Sequence, residues 1–297
     1  MALYAVPSTE SALLLRDAAE TISISVYIGE TLTNATGNVT IGIVDATGAT
    51  VIAAGTATST SATGVYEYTV PAQSNLKELT ATWSGTWSGA ASLLTTQHEV
   101  VGGFYTTPSE IRAMNMIEGE SATYTLSDLV NSISYATEVI DSYVGVPFVY
   151  RYQRDVLDGT NHQDLKLTKM FPQVILAGSI GGTALTATQI SNLNKYKSGV
   201  IRLKDDVWAF NNPGGQIKID YEHGSSKTPP PDISWCARTV ARFWLLEMNS
   251  RIPDQATSIS SEFGNIQISQ PGQNRPTGIQ SVDTILNRYR QRAPSAF

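Results

Sequence analysis

Two hydrophobic periods divide this chain. From Thr21 to Val101 apolar and polar residues alternate with period two in short runs: "TISISVYI" (21–28), "VTIGIVDATGATVIAAG" (39–55), "GVYEYTVP" (64–71), "KELTATWSG" (77–85) and "LLTTQHEVV" (93–101). Turn residues such as Gly, Asn, Pro and Ser separate them, and "DATG" reads as a hairpin turn. About six short strands at regular spacing predict an antiparallel β-sandwich. "Gly102-Gly103" then predicts a linker or hinge.

Beyond it the period changes. Thr107, Pro108 and Glu110 occupy the N-cap, N1 and N3 places of a short helix. Thr125 and Asp128 form a second capping box ahead of Leu126, Leu129, Val130, Ile133, Ala136, Val139, Ile140, Tyr143 and Val144, predicting an amphipathic helix over 126–144. Gly145 suits the left-handed residue that ends it, and Pro147 forbids continuation. Strands follow in "FVYRYQRDVLDG", "DLKL", "FPQVILAGSI", "GVIRLK" and "GQIKIDYEHG". Prolines then introduce a helix with Ile233, Cys236, Ala237, Val240, Ala241, Trp244, Leu245 and Met248 on one face. Residues 258–269 read as a β-hairpin, and "SVDTILNRYRQR" as a last helix. The predicted fold is an all-β domain over 1–103 followed by an α+β domain of helices and projecting hairpins over 104–297.

Charge sharpens that division. The chain has 297 residues and a net charge of −6. Residues 1–103 carry two basic residues (Arg16, Lys77) against eight acidic ones, whereas 104–297 carries 18 of each. Neither half is basic, which argues against a surface that wraps duplex DNA. No run approaches the ~18 apolar residues of a membrane span. The N-terminus lacks the basic and apolar regions of a secretory signal. The single cysteine, Cys236, excludes an intramolecular disulfide.

No P-loop, HExxH, CxxC or nucleophile elbow is present, so no enzyme activity is expected. His98, His162 and His223 are scattered, and the last two sit beside predicted turns, where solvent exposure is expected. Asp155, Asp158, His162 and Asp164 lack the alternating oxygen ligands and terminal carboxylate of a calcium loop, so neither metal nor cofactor is expected. Trp83 and Trp87, in "TWSGTWSGA", admit two readings: a sugar-stacking pair, or one core indole with one at a hairpin tip. Arg288, Arg290 and Arg292 are a solvated helix face, a partner contact or a DNA contact.

The order of the C-terminal motifs is more specific than any one of them. Capped helix, "DSYVGVPF", a strand with "VLDG", "FPQV", "SGVIRL", "IKIDYEHG", "PPDISWCARTVARFW", "SEFGNIQIS" and "ILNRYR" succeed one another over almost all of 104–297. In this the chain resembles the head–tail connector, or adaptor, proteins of long-tailed double-stranded DNA phages. Residues 1–103 lie outside that pattern. Their "G-x-Y-x-x-x-x-P" step resembles immunoglobulin-like modules, so they read as an added decoration.

The resemblance implies a non-enzymatic virion protein. About twelve copies would form a ring beneath the portal, assembled in the host cytoplasm, since a heterologous contact that closes gives a ring. Its partners would be further copies, the portal protein and a stopper or tail-completion protein. Genomic DNA would pass through the channel without specific binding, and no membrane would be involved. Arg288, Tyr289, Arg290 and Arg292 would touch the portal, with residues 278–297 dispensable for folding. Val146, Pro147, Phe148 and Tyr150 would touch a neighbouring subunit. The alternative is a decoration protein binding carbohydrate or capsid through the β-sandwich, with Trp83 and Trp87 on the glycan.

Overall fold

A computed structural model describes residues 3–7, 13–114, 124–204, 207–208, 217–248, 258–261, 264–267 and 277–290. The N-terminal strands are β1 (Leu3–Pro7), β2 (Leu13–Leu15), β3 (Glu20–Ile28), β4 (Thr31–Leu32), β5 (Thr40–Asp45), β6 (Thr50–Thr56), β7 (Thr58–Ser59), β8 (Val65–Val70), β9 (Lys77–Trp87) and β10 (Ala90–Val101). One sheet runs β1-β3-β8-β7 with β4 against β3, the other β2-β10-β9-β5-β6. Pairing is antiparallel except for β2, which lies parallel to β10. Alternation fixes the inner faces: Ile22, Ile24 and Val26 of β3 share one core with Ile41 and Ile43 of β5 and Leu79 and Ala81 of β9. The predicted "DATG" turn is held by the Asp45 carboxylate, which accepts from the backbone N–H of Thr47 and Ala49. β1 and β2 add to the strands that periodicity predicted. At three to five residues they are too short for alternation to reveal.

The remaining elements are α1 (Pro108–Arg112), α2 (Leu126–Val144), β11 (Arg151–Leu157), β12 (Asp164–Lys166), β13 (Pro172–Ile180), β14 (Thr183–Ala184), α3 (Ala187–Ser191), β15 (Asn194–Lys195), β16 (Val200–Arg202), β17 (Ile217–His223), α4 (Pro231–Met248), β18 (Ser258–Ser261), β19 (Gly264–Gln267) and α5 (Gln280–Tyr289). Sheets run β11-β17-β13-β14 and β12-β16-β15, and β18 pairs with β19. An all-β N-terminal region is thus followed by an α+β region.

By contacts the molecule divides into two compact units that cross the boundary at residue 103. One comprises 1–103 with 150–225, the other 104–149 with 226–297. The split of 1–103 from 104–297 remains a proposal about which segment was added, since the first unit takes strands from both. The hinge expected at Gly102–Gly103 meets a specific contact instead. Gly102 N–H donates to Tyr150 O at 3.0 Å, and a Cβ on Gly102 would lie 3.0 Å from Tyr150 Cβ and O. Glycine here permits close backbone approach.

The second unit is built on helices. Leu129, Ile133, Ala136, Ile140 and Val144 of α2 meet Ile233, Cys236, Ala237, Val240, Ala241 and Leu245 of α4, with Val282 and Leu286 of α5. Burial pushes the Cys236 thiol up to about 12, so it is a packing residue and no nucleophile. Both expected capping boxes form, at Thr107/Glu110 and Thr125/Asp128. Gly145 closes α2 at φ +85 and donates to Asp141 O at 2.8 Å. A Cβ there would meet open space, so only backbone strain opposes a side chain. Gly145→Ala is expected to cost about 1 kcal/mol in urea unfolding, with an unchanged m-value.

Candidate interaction surfaces

Val146, Pro147 and Phe148 are buried within this chain. Phe148 packs edge-on against Tyr105 and Tyr289. Tyr105 organises the turn: its hydroxyl donates to the Asp141 carboxylate and accepts from Phe148 N–H at 2.6 Å. The expected neighbour-subunit contact at Val146–Phe148 is therefore corrected. The turn that ends α2 is apolar because it closes its own unit's core. Tyr150, half-buried, packs against the sandwich core of the first unit. Tyr105 had no sequence signal beyond being an aromatic near a helix start.

The glycan reading is corrected as well. Trp83 is 0% exposed and Trp87 1%, so neither offers a face to a sugar. Both share β9's inward parity with Leu79 and Ala81. Trp83 Nε1 donates to Thr96 Oγ1 at 3.1 Å, and Thr96 Oγ1 pairs with His98 Nε2 at 2.7 Å. The Trp87 ring lies over Gly85, where a Cβ would come within 2.6 Å of Trp87 Cη2, and meets Tyr66 edge-on.

At the end of α5, Arg288 and Arg290 are exposed and Tyr289 is half-buried. Tyr289 donates to the Asp232 carboxylate at 2.9 Å, which holds its phenol above the usual range. Arg290 stacks over the Tyr143 ring, 4.9 Å from its centroid. Tyr289 also packs edge-on against Phe148, and Arg292 lies outside the described residues. Val282 and Leu286 are fully buried, so removing 278–297 would take two side chains out of this core.

The candidate metal residues have other partners. Asp155 is buried and accepts from Tyr221 Oη at 2.9 Å and Thr168 N–H at 2.7 Å. Asp164 forms a two-point pair with Arg202 at 2.6 and 2.7 Å. Among the described residues no group of three or more His, Cys, Asp and Glu is arranged to hold a metal ion.

His162 is exposed as expected, but His223 is buried, because the two neighbours of β17 cover its end. Burial, with Lys169 and Arg151 nearby, drops the His223 imidazole to about 4. Its folded value lies below the unfolded one near 6.5. The contribution to stability is therefore complete above that value and is lost as pH falls towards 4. Stability is expected to fall by at most about 3 kcal/mol over this window, beyond what carboxylates contribute. His223→Gln should flatten that part of a urea-midpoint-versus-pH curve.

The most developed polar arrangement was not legible in sequence. In "IKIDYEH", Ile217, Ile219 and Tyr221 face a core with Leu165, Ile201 and Trp208. Asp220 and Glu222 alternate with them and so should face water, yet Glu222 is 3% exposed. The N-terminal strands and loops cover this face. Arg16 Nη2 reaches Glu222 Oε1 at 2.6 Å, and Leu76 N–H approaches the same oxygen at 3.5 Å. Arg154 Nη1 donates to Ala46 O at 2.6 Å, its Nε lies 3.6 Å from Asp220 Oδ1, and that oxygen also accepts from Tyr152 Oη at 2.6 Å. Arg151 pairs with Glu99 at 3.4 Å. A cavity of about 130 Å³ follows this seam between Thr47 and Lys77 on one side and Leu176 and Asp220 on the other. Pairing inside a covered seam resists exchange with water, so these contacts hold 1–103 against the sheet of β17.

No protein-family model matches the chain. No curated protein matches it either. Among solved structures, it is similar to a chain from one described as the neck of an empty GTA particle computed with C6 symmetry. Identity is 14% and the TM-score 0.40, over 58% of this chain and 83% of that one. Among the described residues no helix is long and apolar enough to cross a membrane.

Proposed function

We propose that this chain is a structural protein of a phage-like head–tail neck, with no catalytic role. About twelve copies would form a ring beneath the portal, joined below by a stopper or tail-completion protein, in particles assembled in the host cytoplasm. The observation that carries the reading is motif order over 104–297. The capped α2, the glycine-closed turn, β11, the central β17, α4, the β18–β19 pair and α5 follow in the sequence that the connector resemblance requires. Charge balance supports it: 18 basic and 18 acidic residues in this segment leave no net attraction to hold phosphates against sliding. Arg288, Tyr289, Arg290 and Arg292 are the portal contacts of this reading, with Arg288 and Arg290 exposed. Residues 1–103 are a decoration of immunoglobulin-like type, fixed to the sheet of β17.

Immunogold electron microscopy on particles from the producing host, with antibody to residues 1–103, tests it. Gold at the head–tail junction is the expected result. Gold over the capsid or at the tail tip, or absence of the chain from blotted particles, would overturn the reading. Arg288→Glu is the finer probe, because truncation at Gly278 would remove buried Val282 and Leu286. Folded Arg288→Glu protein is expected to fail to join portal-bearing heads to tails.

A further inference from the structure

The outer face of α4 has a composition that solvent alone does not explain. Opposite its buried stripe, Trp235 and Phe243 are 37% and 43% exposed. They are eight residues apart, about 12 Å along the axis. Half-buried Thr239 lies between them, and Arg238 and Arg242, also half-buried, flank them. No carboxylate occurs from Ile233 to Leu246. Trp, Phe and Arg with few acids is the composition of interface centres.

The outer face of α2 is its electrostatic counterpart. Ser134, Tyr135, Glu138 and Ser142 are exposed there, and Asp128 is half-buried. Between Leu126 and Val144 there are three acidic residues and no basic one. Tyr135 adds an aromatic surface whose inner side stacks on Trp244 at 5.8 Å. α2 and α4 bury their apolar stripes in one core, so their outer faces look away from each other.

We propose that the outer face of α4, centred on Trp235 and Phe243, docks on the outer face of α2 of a second copy of this chain. Arginines would meet Glu138, and aromatic side chains would meet Tyr135. Because the two faces differ and diverge, the contact is head-to-tail rather than two-fold, and repetition closes a ring or extends a filament. This deepens the neck reading and rests on it only for closure into a ring.

The test uses purified full-length protein. Wild type is expected to give concentration-dependent oligomers by light scattering. Trp235→Ser with Phe243→Ser, both at surface positions, should weaken assembly roughly 30-fold or more. Far-UV circular dichroism and Tm should not change. A second, gain-of-signal measurement uses Glu138→Cys and Thr239→Cys with a short bis-maleimide. The two variants mixed should cross-link, and neither should cross-link alone. Wild type that stays monomeric at all concentrations would overturn the proposal, as would the double serine variant assembling normally or Thr239→Cys cross-linking to itself. Failure here leaves the immunogold result standing. Gold away from the neck, in turn, leaves the contact measured in purified protein intact.

Discussion

Replacing Trp83 by alanine is expected to lower the unfolding free energy of the first unit by about 3–5 kcal/mol. Trp83 is among the largest fully buried side chains, set between the two five-stranded sheets. Its removal leaves a cavity that alternating neighbours on a paired strand cannot collapse to fill. It also removes the donor to Thr96, whose hydroxyl remains buried beside His98. Trp83→Phe should cost less, since it keeps most of the volume and loses mainly the indole donor. Urea unfolding followed by tyrosine and residual tryptophan fluorescence measures both. A sugar-stacking indole would behave otherwise: its loss would abolish retention on glycans and leave the unfolding midpoint unmoved.

Replacing Arg16 by alanine is expected to cost about 2–4 kcal/mol, because it strands a buried carboxylate. Glu222 keeps only the 3.5 Å approach of Leu76 N–H in place of a 2.6 Å ion pair. The figure sits below that of a fully buried pair because the Arg16 side chain retains 21% exposure. Arg16→Met combined with Glu222→Leu should recover to within about 1 kcal/mol of wild type, since both desolvated charges are then gone. A double-mutant cycle in urea separates the pair's coupling from the packing of its stems. If Arg16→Ala unfolds at the wild-type midpoint, the seam does not hold 1–103 in place. The expected loss would show that residues 1–103 are bound to the sheet of β17 and do not swing from Gly102.

Period was the most legible feature, and its failures are instructive. The helix over 126–144 and its glycine stop follow from caps and a 3.6 repeat, which are local and need no knowledge of what lies opposite. The parity of β9 also held the answer for the tryptophans. Leu79, Ala81, Trp83 and Trp87 all carry odd numbers on one strand, so an inward Leu79 implies two inward indoles, with Gly85 making room for the second. β17 failed for the opposite reason. Alternation shows which residues share a face, but not whether water or protein meets it. Alternation alone would turn Asp220 and Glu222 to solvent, but segments more than a hundred residues earlier in the chain cover them. Val146 and Phe148 were likewise visible as apolar, but an apolar turn looks the same in sequence whether it awaits a partner or closes a core.

The sequence by itself determined the longer strands and helices α1, α2, α4 and α5, the capping boxes of α1 and α2, the left-handed stop at Gly145 and the change from all-β to α+β architecture near residue 103. Each is a matter of local sterics and hydrogen bonding among residues a few positions apart. Only the tertiary structure decided that 1–103 and 150–225 form one compact unit, that β17 buries its charged face against the N-terminal region, and that α4 turns Trp235 and Phe243 outward. These depend on which surfaces meet across long loops. Coulombic and apolar complementarity between distant segments sets that choice, and a one-dimensional pattern does not contain it.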